Sequence, residues 1–382
     1  MKQLLFFFFF TFFVWHLSGQ ELDHRWGEII ISFEASSRLP QQLPHSPNLQ
    51  RSKSPGLFHK RQLSRPLNIW LLQFDPNQTN EFELLDQLRQ KPGVRFEQFN
   101  HILHSRQTTP NDPSFSEQWQ WFNNGSNGLA DADVDAELAW DISQGGQTVT
   151  GTEIVVAVLD NGTQIDHPDL AANHWVNKDE IPDNGFDDDG NGYIDDYNGW
   201  NPLDQNDDVN GGSHGTGVNG MVGAVGNNMM GVSGINWNVK IMSVRNDFIT
   251  DEATVLEAYA YPLEQRRIYN RSNGQNGAFV VATNASWGFE RGDPADSPLW
   301  CAYYDTLGTE GILNCGATTN SNGLNVDLEG DLPTTCPSDF LISVTSTNRS
   351  DEQAGGFGPI HIDLVAPGVD VYTPDRNSGY RF

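Results

Sequence analysis

The chain has 382 residues and a formal net charge of −28, from 22 Lys and Arg against 50 Asp and Glu. That length exceeds one typical domain and suffices to bury a sizeable core. After Pro110 only 10 basic residues face 41 acidic ones, which argues against nucleic acid, or any phosphate backbone, as a partner.

The chain opens with MKQLLFFFFFTFFVWHLSGQ, where Lys2, an apolar run from Leu4 to Trp15 and the small residues Ser18 and Gly19 follow the order of a secretory signal. The run is short for a bilayer span, so a membrane anchor is the lesser alternative. Residues 1–19 therefore predict export, to the medium or the cell surface. Residues 20–108 predict a small α+β domain. Their Ser-, Pro- and Lys/Arg-rich stretch at 36–56 reads as loop. LNIWLLQFD (67–75) reads as an apolar strand and NEFELLDQLRQ (80–90) as a capped helix with Phe82, Leu84, Leu85 and Leu88 at helical spacing, followed by a strand in VRFEQFN (94–100). Turn formers crowd RQTTPNDPSF (106–115), which marks a boundary.

Residues 109–382 form the third region. EIVVAVLD (153–160), VKIMSVR (239–245), GAFVVATNASWG (277–288) and FLISVTS (340–346) carry continuous apolar runs, separated by helical or small-residue stretches. Strands hydrophobic on both faces predict an α/β domain with a mostly parallel central sheet and helices on both sides. In DEATVLEAYAYPLEQRRIYN (251–270) the helix is expected to bend or split at Pro262. Of the three cysteines, Cys301, Cys315 and Cys336, one is left over if an exported protein pairs its thiols.

Candidate chemistry lies between the strands. The run from Ile154 to Leu159 ends in Asp160, a carboxylate where open α/β sheets gather ligands. A lone strand-end aspartate more often caps a turn, but His214 follows in SHGTGVNGMVGA, whose small residues let a helix pack closely behind an imidazole. Gly211 to Gly215 also satisfies G-x-S-x-G, which would make Ser213 a nucleophile. That elbow must follow a strand, and the preceding NPLDQNDDVNGG is acidic, Asn/Gly-rich and has no apolar run, so Ser213 reads as a bystander. NGFDDDGNGYIDD (184–196) sets Asp187, Asp189, Asn191, the Tyr193 carbonyl and Asp195 at the alternating positions of a calcium loop around Gly192, although Asn198 stands where such a loop has glutamate. The alternative is a solvated acidic turn. Neighbouring carboxylates in that number repel unless neutralised, which favours a metal.

VAVLDNGTQIDHPDL (156–170) together with SHGTGVNGMVGA (213–224) resembles the aspartate and histidine segments of subtilisin-like serine peptidases, the subtilase family, and the likeness runs from about Pro110 to Phe382. The resemblance implies a serine endopeptidase that hydrolyses proteins or peptides through an Asp-His-Ser triad, with Asp160 orienting His214 and His214 acting as the base. It implies that Asn284, Ser286, Trp287 and Gly288 of NASWG line the strand against which an extended peptide pairs. Asn320, in CGATTNSNGLNVD, is the implied oxyanion donor, with Asn322 as rival. GNNMMGVSG (226–234) resembles a calcium loop of the family, which would use the Asn228 side chain, the carbonyls of Gly226, Met230 and Val232, and Asp169.

Further implications are structural Ca²⁺ with no organic cofactor, a monomer, and residues 20–108 as an intramolecular inhibitory pro-segment. IDLVAPGVDVYTPDRNSGYRF (362–382) resembles the lead into the family's nucleophile segment, G-T-S-x-A-x-P. That motif occurs nowhere in the 382 residues, and Ser378 lacks its flanks. The expectation is a truncated chain, inactive as written for want of the serine. The alternative is a secreted calcium-binding or adhesive relative that has lost catalysis.

Overall fold

The structure is a computed structural model that describes residues 24–34, 57–77, 79–101, 108–126, 128–247 and 251–382. The signal-like residues 1–19 and the loop expected at 36–56 lie outside the described residues. The chain divides into two compact units, Met1–Ser105 and Arg106–Phe382.

In the first unit β1 (His24–Phe33), β2 (Leu57–Ser64), β3 (Ile69–Phe74) and β4 (Val94–His101) form an antiparallel sheet in the order β2-β3-β1-β4, and α1 (Glu81–Arg89) joins β3 to β4. Strand alternation places Ile29, Ile31 and Phe33 of β1 beside Leu72 and Phe74 of β3, and Leu84 and Leu88 of α1 close over them. Asn80 starts the helix by accepting hydrogen bonds from the Phe82 and Glu83 amides, satisfying donors that have no partner within the helix. Phe82, expected on the buried face, is 61% exposed and meets Phe99 edge-on instead.

The second unit runs α2 (Ala136–Trp140), β5 (Val155–Asp160), α3 (Ser213–Gly223), β6 (Lys240–Arg245), α4 (Glu252–Arg271), β7 (Val280–Ala285), β8 (Phe289–Glu290), α5 (Pro298–Thr309), β9 (Leu313–Ala317), α6 (Val326–Glu329), β10 (Asp331–Leu332), β11 (Leu341–Thr347), β12 (Leu364–Pro367), β13 (Thr373–Asp375) and β14 (Gly379–Arg381). Six strands form a parallel sheet in the order β12-β11-β9-β7-β5-β6. The continuous apolar runs reflect burial on both faces. Val158 packs with Val239, Ile241 and the α3 residues Val218 and Val222, whereas its neighbours Ala157 and Leu159 join Tyr259 of α4 and Tyr304 and Leu307 of α5.

One expectation is amended and another is made specific. α4 runs as one helix through Pro262 rather than splitting there, because Tyr259, Tyr261, Pro262 and Leu263 are all buried and that packing outweighs one missing hydrogen bond. Cys301 and Cys336 form a disulfide between α5 and the segment after β10, which leaves Cys315 of β9 as a half-buried thiol.

The chain passes from β5 to β6 on one side and then to β7 on the other, so strand order reverses at β5 and a crevice opens at its carboxyl end. α3 starts against that end, and Gly215 permits the approach. A Cβ there would lie 2.1 Å from the Gly162 carbonyl oxygen and 3.1 Å from Asp160 Oδ1. Gly220, farther along α3, would likewise set a Cβ 2.1 Å from Pro374 of β13. Gly215→Ala is therefore expected to push α3 off β5 at a cost of about 1–3 kcal/mol, read as a lowered thermal unfolding midpoint. An unchanged midpoint would mean that the junction tolerates a methyl group.

Candidate active site

Asp160 closes β5 and is 1% exposed. His214 lies in the first turn of α3, with Nδ1 2.8 Å from Asp160 Oδ1 and 3.0 Å from Oδ2. The loop after β5 is laced to the start of α3: the Asn161 side chain accepts the Gly215 amide at 2.9 Å, and the Gly212 amide donates to the Asn161 carbonyl at 2.8 Å. A carboxylate held on Nδ1 fixes the imidazole tautomer and makes Nε2 the nitrogen that exchanges protons. The imidazole side chain is 42% exposed against 1% for its partner. A solvent-facing imidazole backed by a buried anion can act as a general base, while the anion steadies the cation that forms. Ser213, the first residue of α3, helps hold the Asp375 carboxyl below its ordinary value. Ser378 is exposed and accepts from Gln164 Nε2 at 3.3 Å.

A cleft of about 580 Å³ adjoins the imidazole, lined by His214, Ser286, Trp287, Gly288, Thr319 and Asn320 among others. β7 delivers Ser286 to Gly288 to its wall, and the Trp287 Nε1–H donates to the Leu159 carbonyl at 2.7 Å, tying that wall to β5. Asn284 does not reach the cleft; it sits within β7 and donates to Ser286 Oγ at 3.0 Å. Asn320, beyond β9, lines the same cleft as His214, and Asn322 does not.

Two cleft residues were not anticipated. Asp331 is 1% exposed, and burial pushes its carboxyl up to about 6, with the Glu290 charge adding to the effect. Glu290 is held below its ordinary value by hydrogen bonds from the Thr319 and Ser321 hydroxyls. Only a two-residue ribbon, β8 against β10, brings them together, and so short a pairing leaves no periodicity to read.

In the acidic loop, Glu180, Asp187 and Asp189 present carboxylate oxygens within 4.8 Å of one another. Burial raises the carboxyls of Glu180 and Asp189, and Glu180 Oε2 is buried with no hydrogen-bond partner among the described residues. An orphaned acceptor among hard oxygens fits a Ca²⁺ ion. Asn191 adjoins the group, its Nδ2 donating to Asp189 Oδ2 at 3.1 Å and to Asp196 Oδ2 at 2.9 Å. The Tyr193 amide donates to Asn191 Oδ1 at 2.7 Å, and its ring packs edge-on against Trp200 and Tyr261. Asp195 does not join them. At a φ of 52° it folds back and accepts the Asn184 and Gly185 amides. The next residue, Asp196, points inward and accepts from Tyr261 Oη at 2.7 Å, Asn177 Nδ2 at 2.9 Å and Gln265 Nε2 at 3.2 Å, anchoring the loop to α4. Glu180 escaped notice because it precedes the twelve-residue loop template.

The second group expected to hold calcium gathers around Asp169. Asp169 accepts from Asn228 Nδ2 at 2.7 Å, the Val232 amide at 2.9 Å and Tyr380 Oη at 3.2 Å. Asn228 Oδ1 accepts the Met230 amide at 2.7 Å, and Gly226 lies against the Trp237 ring. The Asp169 and Asn228 side chains thus meet in one hydrogen-bonded cluster.

An extracellular protease of Xanthomonas campestris pv. campestris is 28% identical over 326 residues, covering 78% of this chain and 48% of that protein. The proprotein convertase subtilisin/kexin type 4 of Rattus norvegicus is 31% identical over 244 residues, covering 62% of this chain and 29% of that one. The chain thus spans about half or less of the length of these curated relatives. A solved protease structure from Pseudoalteromonas arctica matches with a TM-score of 0.52 at 22% identity, over 72% of this chain and 81% of that chain, a likeness of fold. A sequence profile of the subtilase family matches residues 151–381, taking in β5 with Asp160, α3 with His214 and the walls of the cleft; the chain belongs to the subtilase family.

Proposed function

We propose that the protein is an exported serine endopeptidase that hydrolyses proteins and peptides. The observation that carries this reading is the 2.8 Å pairing of His214 Nδ1 with buried Asp160 beside a cleft lined by Asn320 and by Ser286 to Gly288. Asp160 holds the tautomer and stabilises the imidazolium, while His214 Nε2 takes the proton of a serine hydroxyl as that oxygen attacks the scissile carbonyl. The Asn320 amide donates to the oxygen on which negative charge develops. The backbone beyond β7 pairs with an extended substrate. The nucleophile belongs to the family's G-T-S-x-A-x-P segment, which residues 1–382 do not contain. The acyl-enzyme step is assigned to the serine of that segment.

Residues 1–19 direct export, a reading supported by a relative that is itself named an extracellular protease. Residues 20–108 act as the inhibitory pro-segment, supported by the separate core that Ile29, Leu72 and Leu84 give the first unit. The mature protein works as a monomer. Ca²⁺ is held by Glu180, Asp187 and Asp189, where its charge offsets carboxylate repulsion and stiffens the loop.

Expression of the chain continued through the codons that follow Phe382 tests the reading. Casein hydrolysis and covalent labelling by a fluorophosphonate are expected. His214→Ala should lower kcat by about 10⁴-fold or more, and Asn320→Ala by about 10²-fold, as loss of the oxyanion donor does in subtilisin itself. A stop codon directly after Phe382, with neither hydrolysis nor labelling, would support the non-enzymatic relative. Calcium at 100 times its Kd should stabilise the fold by about 2.7 kcal/mol over the protein in EGTA, an increment that Asp189→Asn removes. A thermal midpoint indifferent to calcium would contradict the metal assignment.

A further inference from the structure

The cleft beside His214 carries two carboxylates that the triad chemistry does not use. Glu290 and Asp331 are directly opposed across the antiparallel ribbon β8–β10, so their side chains share a face, an arrangement that is unfavourable for like charges. Both line the cleft. Each uses one oxygen for neutral donors. Glu290 Oε1 accepts from Thr319 Oγ1 and Ser321 Oγ, and Asp331 Oδ2 accepts from the Thr319 amide at 3.1 Å and Thr334 Oγ1 at 2.7 Å. Glu290 Oε2 and Asp331 Oδ1 accept nothing among the described residues.

Neither carboxylate has an ion-pair partner there. Arg291, next to Glu290, is paired with Glu329 at 3.2 Å. Arg381, on the wall of the cleft, is turned to Asp375 at 3.8 Å. Two like charges lining an open cavity, fixed by uncharged donors and in no ion pair among the described residues, form a receptor for a cation. Thr319, which bonds both, immediately precedes Asn320, so the acidic pair lies next to the position assigned to the scissile carbonyl. Trp287 supplies an apolar wall for the methylene stem of a long basic side chain.

We propose that this cleft selects peptide substrates with arginine or lysine on the amino side of the scissile bond, Asp331 and Glu290 being the specificity-determining residues. The inference rests on the peptidase reading above. With its carboxyl pushed up to about 6 by burial, Asp331 carries its full charge only above that pH, so preference for a basic residue should grow as pH rises through about 6. The other charged groups on the cleft are Glu290, His214, Asp370 and Arg381. Protonation of His214 slows basic and apolar substrates alike and cancels in their ratio.

The test uses the chain continued past Phe382, with peptides that differ only in arginine or leucine before the scissile bond. The expected result is a higher kcat/KM for arginine, with the arginine-to-leucine ratio falling by roughly 10²-fold in Asp331→Asn. The ratio should also fall in Glu290→Gln, which decides the matter if Asp331→Asn does not fold. Anisotropy of labelled arginine-ending and leucine-ending peptides on the His214→Ala protein reads binding without turnover. Tighter arginine binding there, with no hydrolysis by the unmutated protein, would sink the peptidase reading and keep the receptor. Hydrolysis with leucine preferred, or with a ratio that neither variant changes, would keep the peptidase and overturn the receptor. An arginine preference abolished by added Ca²⁺ and restored by EGTA would assign the pair to a metal and overturn it as well.

Discussion

The contact between Asp160 and His214 is the constraint around which the second unit is arranged. A carboxylate with 1% of its surface exposed, at the end of a strand in the middle of a parallel sheet, is unfavourable unless donors meet it. Here the imidazole Nδ1 and the Asn161 amide, at 2.8 Å, do so. Bringing a helix start that close requires backbone against backbone. Gly162, Gly211 and Gly215 lie where any Cβ would fall within 2.7 Å of a neighbouring main-chain atom. The reversal of strand order at β5 supplies the crevice, and Trp287 closes it from the β7 side by its bond to the Leu159 carbonyl.

Much of this was legible in the sequence because it follows from strongly periodic or sterically forced features. The buried strands β5, β6, β7 and β11 announce themselves as unbroken apolar runs, since both faces of a parallel sheet are covered. The Asp160 and His214 segments are readable because close approach demands glycine and small residues in a fixed order. What escaped depends on tertiary context. β1 carries Glu28 buried within it and a glycine at positive φ, Gly27, so its alternation is masked. Pro262 signals a break that packing overrides. Asp195 and Asp196 are adjacent carboxylates that a spacing rule cannot rank, and a left-handed backbone at Asp195 decides which one turns inward. Glu180 and Asp331 lie outside any local motif, and only folding brings them to their clusters.

The acidic composition, unspecific as a statement about partners, acquires meaning once located. In both the loop around Asp189 and the cleft beside Asn320, carboxylates are drawn together by neutral amide and hydroxyl donors and retain oxygens that accept nothing from the described residues. Neutral donors orient such groups without cancelling their charge, and both proposed cation sites rely on that charge. Asp169 is the contrast. Its oxygens are met by an amide side chain, a backbone amide and a phenol.

The proton on His214 Nδ1 reports the central contact directly. In protein carrying ¹⁵N-labelled histidine, the expected result is a strongly deshielded, exchange-protected Nδ1–H resonance that disappears in Asp160→Ala while the remaining histidine signals stay in place. A His214 ring whose Nδ1 exchanges freely with solvent, and whose spectrum Asp160→Ala leaves unaltered, would contradict the pairing and the catalytic reading built on it.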